Sequence, residues 1–142
     1  MISIEGSLKM LGIKKQFIKN MIKLEVVSNT PGKLQIYIAQ IKKIEDEYKA
    51  YEPYAQKAIK LLPGINTIDV DYEKGILAIN YDPNQITVQK VYRWLQVMID
   101  VGIDYYDEIK AGWNMQGNEA EQVEKVWQKI QPALLSQVSK LK

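Results

Sequence analysis

A chain of 142 residues, 46% apolar and 25% charged, has the size and balance of one globular domain with a modest extension. It contains no cysteine and no histidine, which excludes disulfides, thiolate nucleophiles, Ser-His-Asp triads and every metal site built on sulfur or imidazole. The net charge of +2 is too small for a dedicated nucleic-acid binder, and it is unevenly spread: residues 1–24 hold five lysines and one acid, residues 65–112 four basic and eight acidic side chains.

No run approaches the roughly 18 consecutive apolar residues of a membrane span. Lysines interrupt the N-terminus where a signal peptide would be apolar, so a cytoplasmic protein is expected.

From Ser7 to Ile22, Leu8, Leu11, Ile18 and Ile22 recur at helical spacing among Lys9, Lys14, Lys15 and Lys19, with Phe17 and Met21 beside the stripe. The pattern predicts a basic amphipathic helix over residues 1–21. Ile22, Leu24 and Val26 then alternate with polar neighbours, and Leu34, Ile36 and Ile38 do the same beyond Pro31-Gly32. These are two strands of a hairpin or one bent strand.

Residues 44–62 carry a helical stripe from Ile44 through Tyr48, Tyr51, Ala55 and Ile59 to Leu62. Pro53 demands a kink there or a start close to Glu52, and Pro63-Gly64 ends the run. Ile65–Asp71 and Ile76–Tyr81 read as a hairpin about the turn 72–75. A helix begins near Thr87 and carries Val88, Val91, Leu95 and Met98 on one face. It either continues to about Ala111, the favoured reading, or stops at Gly102 before a strand from Ile103 to Ile109. After a break at 112–117, Asn118 and Glu121 form a capping-box pattern for a last helix, which Pro132 is expected to kink or interrupt.

Strand, helix, two strands and helix, with or without a last strand, is a ferredoxin-like βαββα(β) order: α+β, an antiparallel sheet with helices on one face. Leu61-Leu62-Pro63-Gly64-Ile65, the hairpin and Tyr81-Asp82-Pro83 resemble the second half of a heavy-metal-associated domain. Thr30-Pro31-Gly32-Lys33-Leu34 is similar to the Pro-Gly-Arg-Leu opening of a divergent branch of that family. The resemblance covers about residues 22–102, leaving 1–21 as the N-terminal helix and 103–142 as a C-terminal helical extension.

Members that carry copper or zinc hold the ion with two cysteines spaced C-x-x-C at the start of the first helix. An ungapped count back from Pro63 puts Tyr48 and Tyr51 there, and phenols are poor ligands for soft ions. The resemblance therefore implies the frame of a metallochaperone without its thiolate site, and no cofactor. Asp69, Asp71 and Glu73 are the best oxygen-ligand series for a hard cation, yet they read first as solvated residues around a turn.

No P-loop, G-x-G-x-x-G or G-x-S-x-G is present, and no enzyme is expected. Nine Tyr and three Trp against one Phe favour half-wet contact surfaces. Tyr105, Tyr106, Trp113 and Trp127 gather around the connection between the last two helices. They either pack internally or meet a partner, as do Leu8, Lys9, Leu11, Lys14, Lys15 and Phe17.

The expected function is a non-catalytic protein-interaction module, which the resemblance places beside metal transport or storage machinery, iron included, with a metal-transporting ATPase as one partner class. Three alternatives stand beside it. Gly6-Ser7-Leu8-Lys9 resembles cargo-loading peptides of encapsulin shells, which implies a compartment shell as partner. The basic arm fits an anionic membrane surface, and the carboxylate series fits an oxygen-ligand metal binder. A homo-oligomer is compatible with all of them, and nucleic acid with none.

Overall fold

The computed structural model describes residues 19–44, 52–105, 107 and 119–141. Their order is β1 (Glu25–Thr30), β2 (Lys33–Tyr37), a short 3-10 helix (Ala39–Lys43), α1 (Glu52–Ile59), β3 (Ile65–Asp71), β4 (Ile76–Tyr81), α2 (Val88–Asp104) and α3 (Glu119–Lys140). The protein is α+β, with one four-stranded antiparallel sheet in the order β1-β2-β4-β3.

β1 and β2 form a hairpin, not one bent strand. Thr30 pairs with Lys33 across Pro31-Gly32, and Gly32 takes φ 84°, which a side chain would strain. β1 begins at Glu25, three residues later than the alternation from Ile22 suggests, and a bulge between Val26 and Ser28 shifts its register. Leu34 stands opposite Ile79 and Ile36 opposite Leu77, so the alternating apolar residues of the two central strands share one face. Ile65 and Ile68 of β3 extend it.

α1 starts at Glu52, and residues 45–51 of the predicted helix lie outside the described residues. Pro53 falls in the first turn, where its missing N–H removes no helical bond. Ile44 is not helical; it follows the 3-10 turn, which the periodicity did not show. Gly64 ends the segment after α1 at φ 102°, and a Cβ there would lie 2.9 Å from Ile86. Thr87 caps α2, its hydroxyl accepting the Lys90 N–H at 3.2 Å. Ile103 and Asp104 are helical and α2 ends there with Tyr105 as its cap, so no strand begins at Ile103 and, contrary to the favoured reading, the helix does not run on unbroken to Ala111; residues 106 and 108–111 lie outside the described residues.

Pro132 does not interrupt α3, which runs unbroken from Glu119 to Lys140. Interior proline costs about 3 kcal/mol. Val123 and Val126 before it and Leu134 and Val138 after it are all buried, and each such side chain contributes roughly 1.5–3 kcal/mol, enough to hold the helix across the defect.

Leu34, Ile36, Ile79, Val91 and Trp94 are the most deeply buried large side chains. Trp94 Nε1 donates to the carbonyl of Ile59 at 3.0 Å, catching the last residue of α1. Leu134 and Val138 join the same contiguous core, so α3 packs on the body of the domain. Lys19, in a helical turn at 19–21, bridges to Asp104 at 2.9 Å. Among the described residues no helix is long and apolar enough to cross a membrane.

Two stability changes follow. Trp94→Phe should lower the unfolding free energy by about 0.5–1.5 kcal/mol, because the Ile59 carbonyl loses its buried indole donor and keeps only the Leu62 N–H at 3.4 Å; urea unfolding with an unchanged m-value checks this. Pro132→Ala should raise it by about 1–3 kcal/mol, because an N–H returns to the middle of a helix. A fall in stability would contradict that account of α3.

Candidate binding cleft

Small side chains shape the space between the helices. Ala55 and Ala58 lie three apart on α1, and Gly102 lies in the last part of α2. At these positions neither helix fills the gap between them. α3 spans it with Val123, Val126 and Trp127, while Leu134 closes the far end. The result is an apolar cleft of about 330 Å³, completed by Tyr54, Met98, Val101 and Ile130. Val123 and Val126 are buried yet stand outside the contiguous core that includes Leu134 and Val138. α3 is therefore anchored in the core by Leu134 and Val138, with Trp127 and Ile130 packed against it, and carries Val123 and Val126 along the cleft.

Tyr54 supplies the polar rim. Its hydroxyl donates to Glu124 Oε2 at 3.1 Å, its ring centroid lies 6.0 Å from that of Trp127, and Lys57 Nζ sits 4.8 Å from the centroid on the other contact. Desolvation raises the phenol above its ordinary pKa, and the Glu124 carboxylate adds to the shift. A second phenol–carboxylate pair lies at the start of α1, where the Tyr72 hydroxyl donates to Glu52 Oε1 and Gln56 donates to Glu52 Oε2 at 3.3 Å. Desolvation, then the hydrogen bond to Glu52 and its charge, push Tyr72 up to about 12. Both shifts keep the phenols neutral, which suits hydrogen-bond donors and not proton acceptors or nucleophiles.

Of the aromatic partner-binding candidates, Trp127 lines the cleft. Tyr105 is half-buried against the core, and its N–H donates to the Val101 carbonyl at 3.0 Å. Tyr106 and Trp113 lie outside the described residues, as do Leu8, Lys9, Leu11, Lys14, Lys15 and Phe17, and also Tyr48 and Tyr51. Asp69 and Asp71 are exposed on β3 and Glu73 is exposed in the following turn. The ladder sets Ala78 opposite Asp69 and Ile76 opposite Asp71, so the neighbouring strand offers no further oxygen there. Asp71 Oδ1 instead accepts the Lys74 N–H at 3.0 Å, closing the turn. Among the described residues no three acidic side chains converge as a metal ion would need.

Ala55, Ala58, Met98 and Gly102 read in the sequence as members of two helical stripes, and not as site residues. Their signal was present: small residues inside two apolar stripes leave a hollow where the helices face each other. No family model, curated protein or solved structure matches this chain.

The Tyr72 pair gives a signed pH dependence. A phenol whose folded pKa exceeds its unfolded value of 10.0 contributes stability that is intact below pH 10 and lost as pH climbs towards about 12. Unfolding midpoints measured between pH 9 and 12 should therefore fall less steeply in Tyr72→Phe than in the wild type; equal slopes would contradict the assignment.

Proposed function

We propose that this chain is a non-catalytic protein-interaction module, and that the cleft between α1, α2 and α3 receives an apolar helical segment of another protein. The observation that carries the reading is the composition of the cleft. Its walls are apolar, and its small residues allow a helix to approach closely. The polar edge formed among the described residues, the Tyr54–Glu124 pair with Lys57 over the ring, is already internally satisfied. A groove of this kind fits apolar anchors projecting from an amphipathic helix at i, i+3 and i+4.

Two further observations support a binding role over catalysis. Among the described residues there is no buried polar or charged side chain, and desolvation with the neighbouring Glu124 and Glu52 carboxylates favours the neutral phenols of Tyr54 and Tyr72.

We read the sheet as ferredoxin-like on its topology. β2 and β3 both flank β4, and α1 joins them, as in a split βαβ unit followed by β4 and α2. The outer position beside β2 is taken by β1, which precedes the unit, not by a strand following α2. The suggested place beside metal transport or storage machinery rests on the heavy-metal-associated resemblance alone. With no cysteine or histidine in the chain, that place would be one of contact with other proteins and not of carrying soft ions.

Gly102 provides a test that separates binding from folding. A Cβ added there meets nothing within 4 Å, and glycine within a helix is less favourable than alanine by roughly 0.5–1 kcal/mol. Gly102→Leu should therefore remain folded, at least as stable as the wild type by thermal unfolding, with its side chain filling the cleft. A photo-crosslinking residue replacing Met98 should capture a protein partner in the wild-type background and fail to do so with Gly102→Leu. Undiminished capture of the same partner by the filled variant would overturn the reading.

A further inference from the structure

The chain holds no cysteine, so its only sulfur is that of five methionines, and no thiol is present to intercept an oxidant first. Two of the methionines lie among the described residues, in different settings. Met21 stands 56% exposed in the helical turn before β1. Met98 is half-buried on α2, packed against the core and lining the three-helix cleft. Among the described residues it is the only sulfur-bearing side chain of the cleft. It continues the inward stripe of α2 after Val91, Trp94 and Leu95. There a flexible, polarizable thioether suits an irregular gap shared with the rings of Tyr54 and Trp127.

A thioether is apolar only until it is oxidised. When hydrogen peroxide reacts with it, the O–O bond breaks and one oxygen atom bonds to Met98 Sδ. The other oxygen leaves as water with both protons, and the sulfur gives up two electrons to the peroxide. Hydrogen peroxide is little larger than water, and a cleft of about 330 Å³ admits it. The product is a sulfoxide, a polar group whose oxygen needs a donor. The Tyr54 hydroxyl is already committed to Glu124. Water drawn into the cleft, or the Trp127 indole turned towards the oxygen, must serve instead, and either takes space that an apolar ligand would fill.

From these features we propose that Met98 is a redox-sensitive modification site: its oxidation by peroxide closes the cleft to an apolar helix, and reduction reopens it. The proposal rests on the binding reading of the cleft. The reverse step is that of a thiol-dependent methionine sulfoxide reductase, in which two thiols become a disulfide and the oxygen leaves as water. A polar group set against an apolar ligand without its own partner weakens binding roughly five- to a hundredfold.

The full chain, treated with hydrogen peroxide, mapped by peptide mass spectrometry and followed by methyl NMR under xenon pressure, tests this. Xenon should shift the Ala55, Ala58 and Val101 methyl signals of the untreated protein. Once Met98 carries its oxygen, those shifts should shrink at least about fivefold, and methionine sulfoxide reductase with dithiothreitol should restore them. The loss should follow oxidation of Met98 and not that of exposed Met21. Met98→Leu, a swap of similar volume, should keep its xenon response through the same treatment, which oxidation elsewhere or unfolding would not allow. A photo-crosslinking residue in place of Ile130, on the cleft wall, should lose its protein partner on oxidation in the wild-type background and keep it with Met98→Leu. An untreated protein without xenon shifts would overturn the cleft reading and this proposal with it. A normal untreated response that persists after Met98 is oxidised, a Met98 that resists peroxide while Met21 reacts, or a Met98→Leu variant that loses its response would overturn this proposal alone.

Discussion

The hydrogen bond from the buried Trp94 indole to the Ile59 carbonyl is the contact on which the rest of the helical layer depends. A tryptophan with no exposure at the centre of α2 must place its N–H, and the carbonyl of Ile59 at the end of α1, which also accepts the Leu62 N–H at 3.4 Å, has a second lone pair to accept it. The pairing satisfies the buried indole and sets α1 against α2 at one fixed point. On the sheet side of that point the two helices close over Leu34, Ile36, Leu77 and Ile79. On the side away from it, Ala55, Ala58 and Gly102 are too small to meet, and the helices stand apart. Core and cleft are thus two consequences of a single anchor.

α3 completes this arrangement by an uneven attachment. Its C-terminal half is held in the core through Leu134 and Val138, and its N-terminal half carries Trp127 and Val126 along the far wall of the cleft. The Tyr54 hydroxyl bond to Glu124 ties that half back to α1 across the rim. A surface polar contact of this sort is worth little by itself. Its effect is geometric, because it fixes the orientation of a phenol ring that also faces Trp127. The chemistry that results is that of a receptor for apolar groups, with its polar groups satisfied before a ligand arrives.

Much of this fold was legible in the sequence. The β3–β4 hairpin was readable because alternation, a polar turn and Gly75 all agree. The start of α1 near Glu52 followed from what proline permits in a first turn. Other features depended on contacts between distant residues. Whether β1 and β2 paired with each other was open, and the outer place of β1 beside β2 depends on which strand occupies that free side. Pro132 reads locally as a breaker, and only the buried valines and leucine on both sides of it explain an unbroken α3. Among the site residues, Trp127 was legible as a contact residue and Gly102 appeared only as a weak point in a helix. Its role as part of a hollow depends on Ala55 and Ala58 lying across from it, which no single stripe reveals. The carboxylates Asp69, Asp71 and Glu73 read as turn residues, and the Asp71 bond to the Lys74 N–H gives the physical reason for one of them.

The claim on which the account rests is that this chain holds an apolar, ligand-accessible hollow between its three helices. Xenon enters apolar cavities without needing any polar partner, so it probes that claim independently of any biological ligand. In methyl NMR spectra recorded under xenon pressure, the signals of Ala55, Ala58, Met98 and Val101 should shift progressively, while those of Ile36 and Ile79 in the filled core should not. If the four cleft methyls stay where they are, or shift no more than the core methyls, the hollow is not there to be occupied and the account fails.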